Sequence, residues 1–83
     1  MAEQKLLQLT VSRVDAPVFD GEVLSVLVPG SEGDMQILAH HESLISPLKK
    51  GVVVVAKTDG TKETFEIEFG TLEISNNHCT ILI

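Results

Sequence analysis

The residues with the most chemistry to offer are two adjacent histidines, His40 and His41, with Ser43 two positions on and Asp34 upstream. On a strand, neighbouring side chains point to opposite faces, so this pair would not chelate one ion. Structural zinc takes four ligands, and the next candidates, His78 and Cys79, lie far along the chain. Ser43, His41 and Asp34 supply the residue types of a hydrolytic triad, yet no nucleophile elbow surrounds the serine. Gly30 and Gly33 bracket a short loop, Gly30-Ser31-Glu32-Gly33-Asp34, that has the glycines of a phosphate cradle. It lacks the Gly-Lys-Ser/Thr that follows in such cradles, no helix follows it, and its carboxylates repel phosphate. The pattern points away from catalysis and from any metal or cofactor. A polar loop held between two apolar runs is either a docking surface or an ordinary hairpin connection. Cys79, the single cysteine, sits in an apolar run and reads as a buried structural thiol.

Composition narrows the partners. The 83 residues suit one domain, and 43% of them are hydrophobic, enough for a core. With no Trp or Tyr and only three Phe, that core must be aliphatic. Twelve acidic residues against six basic ones give a net charge of -6. This disfavours nucleic acid, which needs clustered Lys and Arg, and anionic lipid surfaces. No stretch reaches the roughly 18 apolar residues of a membrane span. The start, Met1-Ala2-Glu3-Gln4-Lys5, lacks the basic and apolar regions of a signal peptide.

Positioning these residues falls to strands. Leu7, Leu9 and Val11 alternate with Gln8, Thr10 and Ser12, the period of a half-buried strand. Asp15-Ala16-Pro17 makes a corner, and Asp20-Gly21 reads as a tight hairpin turn. Glu22 to Val28 is apolar on both faces, which predicts a strand covered on both sides, or nearly so. Pro29-Gly30 stops that run, and Met35 to Leu38 forms a short strand. Ala39 to Lys50 is the one place for a helical turn or two, broken by Pro47, with Leu44, Ile45 and Leu48 plugging one end of the core. Val52-Val53-Val54-Val55 favours strand because β-branched side chains crowd a helix. Thr58-Asp59-Gly60-Thr61 is the strongest hairpin signal. Phe65, Ile67 and Phe69 then point inward, Asn76-Asn77 turns the chain, and Cys79, Ile81 and Ile83 share the last inner face. The expectation is an all-β domain spanning residues 1–83, a small sandwich of about ten short strands with no long helix.

Taken together and in order, these motifs resemble the N-terminal domain of the epsilon subunit of F-type ATP synthases, called delta in mitochondria. That family shows a strand ending in Gly-x-x-Gly-Asp/Glu, an Ile-Leu pair, a histidine, Pro-Leu, then Leu-x-x-Gly and a valine-rich strand. The matching positions are Gly30, Gly33, Asp34, Ile37, Leu38, His41, Leu44, Leu48, Gly51 and Val52. Upstream, Phe19-Asp20-Gly21-Glu22-Val23 resembles the family's Phe-x-Gly-x-Val. Downstream, Phe69-Gly70-Thr71-Leu72-Glu73-Ile74 resembles its Gly-Gly-x-Leu-Glu-Val. Gln36 stands where the family usually has Gly, and Ser43 where it has Pro. The family's C-terminal helical hairpin has no counterpart in these residues, so its inhibitory and nucleotide-binding roles are not carried over.

The resemblance implies a non-catalytic rotor subunit without cofactor or metal. It would clamp the gamma subunit to the ring of membrane-embedded c subunits, peripheral to the cytoplasmic face of the bacterial inner membrane or to the equivalent face of a mitochondrial or plastid inner membrane, and with no insertion of its own. Gly30, Ser31, Glu32, Gly33 and Asp34 match the family's c-ring contact, and the segment of His41, Ser43 and Leu44 matches part of its gamma-facing surface. Glu32 and Asp34 would complement a basic residue on the ring loops. Two other classes stay open: a free-standing sandwich that binds a ligand near Met35, His40 and His41, and a self-assembling β scaffold.

Overall fold

A computed structural model describes residues 5–83; of the amino-terminal segment read above, Met1 to Gln4 lie outside it. The described residues form eight strands: β1 (Leu7–Ser12), β2 (Pro17–Gly30), β3 (Gly33–Leu38), β4 (Leu44–Leu48), β5 (Gly51–Lys57), β6 (Lys62–Ile67), β7 (Gly70–Ser75) and β8 (His78–Leu82). The fold is all-β as expected, with eight strands rather than ten. Two of the expected breaks are absent. Asp20 and Gly21 do not turn: they sit inside β2, opposite Thr10 and Leu9 of β1, and the chain reverses instead at the Asp15-Ala16 corner. The Ala39–Lys50 segment forms no helical turn, because β4 pairs along its whole length with β7, from Leu44↔Ile74 to Leu48↔Gly70.

The long strand β2 organises the molecule. Its first half pairs with β1, and its second half lies between β3 and β5. One layer therefore runs β4-β7-β8-β1-β2 and the other β3-β2-β5-β6, with β2 passing from the first to the second. The passage occurs at Leu24. Opposite β5, Val23 faces Lys57 and Ser25 faces Ala56, so one extra residue is accommodated in β2. Such a bulge shifts the alternation by one: Val23 faces the core on one side of it, Val26 and Val28 on the other. This accounts for apolar residues on both nominal faces of the run. The strand is not covered on both sides, since Leu27 is exposed.

The core between the layers is aliphatic. Leu7, Leu9, Val11, Leu72, Ile74, Cys79 and Ile81 come from the first layer, and Val28, Ile37, Val53, Val55 and Ile67 from the second. Among the described residues, no charged or polar residue is buried with them. β1 and β8 pair in parallel, Leu9 beside Cys79 and Val11 beside Ile81. On the outer face of that pairing runs a polar ladder. The Thr10 hydroxyl donates to Asp20 Oδ1 at 3.2 Å. With its one proton engaged there, it accepts from His78 Nε2 at 2.9 Å.

Candidate functional site

The two candidate surfaces lie at opposite ends of β3. At one end, β2 and β3 are joined through Ser31 and Glu32, with Gly30 directly opposite Gly33. Thus Pro29-Gly30 closes the strand from inside it rather than before it. Gly33 takes a φ of 136°, which side-chain-bearing residues rarely adopt. Gly30 is buried, and a Cβ there would lie 2.6 Å from the Gly33 carbonyl oxygen. The tip is fastened to the end of β4 by two backbone bonds. Ser31 N–H donates to Pro47 O at 3.1 Å, and Lys49 N–H donates to Pro29 O at 2.9 Å. From this rigid base Ser31, Glu32 and Asp34 project into solvent. Among the described residues, the ion pairs Lys50–Glu68 and Lys57–Glu63 leave both loop carboxylates unmatched.

At the other end, Ala39 and His40 turn the chain out of β3 toward β4. His40 has a φ of 62°, the left-handed region. Its N–H donates to the side chain of Asn77, which stands in the turn between β7 and β8, at 2.7 Å. His41 N–H donates to Leu38 O at 3.3 Å. The His41 ring is half-buried, and its Nδ1 donates to Glu42 O at 2.9 Å, while among the described residues its Nε2 has no hydrogen-bond partner. Both histidines occupy a turn rather than a strand, and among the described residues no three His, Cys, Asp or Glu side chains gather into a metal site. Asp34 is near the far end of β3 from His41 and Ser43, with roughly 13 Å of strand between Asp34 and Leu38. The three residue types of a triad are therefore not brought together.

Leu44 packs on the core and Leu48 is buried, but Ile45 is 70% exposed, so the expected plug is made without it. Ile45 looks outward beside Leu82, in a cleft shared with Thr71, Glu73 and Thr80. A larger cleft of about 400 Å³ adjoins it, lined by Val14, Phe69, Leu82 and Ile83. Phe69 is outside the core, 74% exposed, because β6 ends at Ile67 and the bend at Glu68-Phe69 breaks its alternation. Neither cleft includes Met35, His40 or His41, the lining expected for a ligand-binding domain. The outer apolar residues were partly legible: the alternation that turns Cys79, Ile81 and Ile83 inward turns Leu82 outward, and Ile45 alternates with Leu44 in the same way.

Residues 6–83 match the family model described as the ATP synthase delta/epsilon chain, β-sandwich domain. The chain belongs to that family. An ATP synthase epsilon chain from a Nitratiruptor species is 39% identical over 77 residues, 93% of this chain and 60% of the relative. One from Sulfurimonas denitrificans is 35% identical over the same share of this chain. The chain thus spans about three fifths of the length of these epsilon chains. In the Euglena gracilis mitochondrial ATP synthase, a complex of OSCP, F1 and c-ring solved by cryo-EM, one chain shares the fold with a TM-score of 0.87. That match covers 96% of this chain and 51% of the other, at 24% identity.

Proposed function

We propose that this delta/epsilon-family domain serves in the rotor stalk of a proton-translocating ATP synthase, holding the gamma subunit to the c-ring at the cytoplasmic face of a bacterial inner membrane. It is a non-catalytic part of that enzyme. The observation that carries this reading is the family match along residues 6–83, joined to two separate surfaces at opposite ends of β3. A coupling piece needs two grips on a stiff body, and here both are anchored in the same pair of layers.

The acidic tip supplies one grip. Gly30 and Gly33 set the reversal, while Ser31, Glu32 and Asp34 face outward, and among the described residues neither carboxylate is in an ion pair. Carboxylates at a rim fix register against a basic surface more than they add affinity. The second grip, toward gamma, is the segment of His41, Ser43 and Leu44. Leu44 roots it in the core, His41 Nε2 is left for a partner, Ser43 is exposed, and Ile45 adds outward apolar surface.

Co-purification tests the reading. Tagged domain, added to a lysate and to detergent-solubilised membranes of its own organism, should retain a gamma subunit from the first and a c-ring complex from the second. Recovery of the domain alone, or as copies of itself, would favour a free-standing ligand-binding or self-assembling module.

A further inference from the structure

The His40–His41 turn is held from outside itself, by a residue 37 positions away in sequence. Asn77 stands in the β7–β8 turn with a φ of 59°, beside Asn76 at 50°. Asparagine tolerates this left-handed conformation better than other side chains do, and glycine tolerates it best. The turn alone would therefore be satisfied by glycine. The Asn77 amide does more. Its Oδ1 accepts from His40 N–H at 2.7 Å, and its Nδ2 donates to the Leu6 carbonyl at 2.8 Å. Its backbone carbonyl also accepts from Gln8 N–H at 3.2 Å. One half-buried residue thus joins three segments: the turn before β4, the turn before β8 and the approach to β1.

The bond to His40 matters because, among the described residues, one other backbone bond closes that turn. His40 is itself in the left-handed region, at a φ of 62°. That conformation is costly for a residue with a Cβ and persists only where the surroundings over-determine it. Within the turn, the remaining backbone bond is the long one from His41 N–H to Leu38 O. The shorter bond to Asn77 Oδ1 fixes the His40 peptide, and the position of His41 follows from it.

We propose that Asn77 is a positioning residue for the His41 segment, clasping the His40 turn so that His41 and Ser43 are presented to a protein partner in one conformation. The inference rests on the gamma-facing reading of that segment for its functional half, and on geometry alone for the clasp. A pre-ordered loop binds more tightly because its ordering cost is met before the encounter.

Three variants separate the two halves. N77G keeps a residue suited to positive φ and deletes both amide bonds. N77D keeps an acceptor for His40 and removes the donor to Leu6. H41A removes the presented ring. Hydrogen exchange at the His40 amide reads the clasp, and affinity for purified gamma subunit reads its consequence. In N77G, His40 exchange should accelerate about five- to tenfold, as for the loss of one net hydrogen bond, with gamma binding weakened by a similar factor. In N77D, His40 protection should largely return. Unchanged His40 exchange in N77G would overturn the clasp. Faster exchange with unchanged gamma affinity, in a protein where H41A does weaken binding, would overturn the positioning role. An H41A protein that binds gamma normally would instead overturn the gamma-facing reading, and His40 exchange would then judge the clasp by itself.

Discussion

Cys79 shows how far one side chain can be read. Its apolar neighbours in sequence indicate burial, and the fold gives it none of its surface to solvent, beside Leu9 and opposite Ile74. Burial disfavours the thiolate and pushes the thiol up from 9.0 to about 12. Alkylating reagents at neutral pH should therefore label the thiol only as fast as the protein unfolds globally; rapid stoichiometric labelling of folded protein would refute this. The pH dependence has a definite sign. A raised folded value stabilises fully below pH 9, and that contribution is lost as pH rises from about 9 toward 12, so denaturation midpoints should fall across that window. Asp59 behaves oppositely. The Thr61 hydroxyl and the Thr61 N–H both donate to its Oδ1, holding its carboxyl below the ordinary 3.8. That stability is present above the ordinary value and lost as pH falls through the lower folded one. In an NMR titration the Thr61 amide should shift with a midpoint below 3.8, and D59N should abolish that titration. The hairpin at Asp59-Gly60 was legible because its signal is local. Asn77 was legible only as a turn residue, since the groups its amide binds come from Leu6 and His40, which no local pattern brings near.

Among the elements, β2 is where pattern and structure diverge most. Asp20-Gly21 has the composition of a hairpin turn, but β1 supplies a partner for each residue of it, and pairing prevails over local preference. The bulge at Leu24 moves the inward face by one residue, so a strictly alternating reading finds two apolar faces where there is one. β4 has a related history. Serines and a proline argue against helix but do not announce a strand; its pairing with β7 decides it. The hairpin of β2 and β3, in contrast, follows directly from its glycines. Adding a methyl group at Gly30 would bring a Cβ to 2.6 Å from the Gly33 carbonyl and 3.0 Å from Met35 Cε. The first neighbour is backbone and cannot swing aside. G30A should thus destabilise by about 1–3 kcal/mol, the range for overpacking. In urea this would appear as a lower midpoint with an unchanged slope. For comparison, L72A, which truncates a fully buried core side chain, should cost about 2–5 kcal/mol. A G30A midpoint equal to that of the parent would mean that the loop base yields easily and is not stiff.

For the whole molecule, the arrangement that matters is two surfaces on one stiff body, and charge reversal at the tip asks whether they act separately. Glu32 and Asp34 are exposed, and neither belongs to an ion pair among the described residues. Changing both to Lys removes no packing and leaves Gly30 and Gly33 in place. Surface changes of this kind usually alter stability by no more than about 0.5 kcal/mol, so thermal unfolding should be nearly that of the parent. If the tip only connects β2 to β3, nothing further should follow. If it meets a basic c-ring surface, attraction becomes like-charge repulsion at a rim contact. ATP-driven proton pumping by enzyme reassembled with the variant should then fall relative to ATP hydrolysis. The deficit should shrink as salt rises, because exposed charges are screened over about 8–10 Å at ordinary ionic strength. Affinity for gamma should stay near that of the parent, since the His41 segment lies roughly 17 Å away at the opposite end of β3. Loss of both functions together would mean that the two ends are coupled through the strand. Undiminished pumping at low salt would mean that these carboxylates do not grip the ring, and that the tip is the plain hairpin connection its composition also allows.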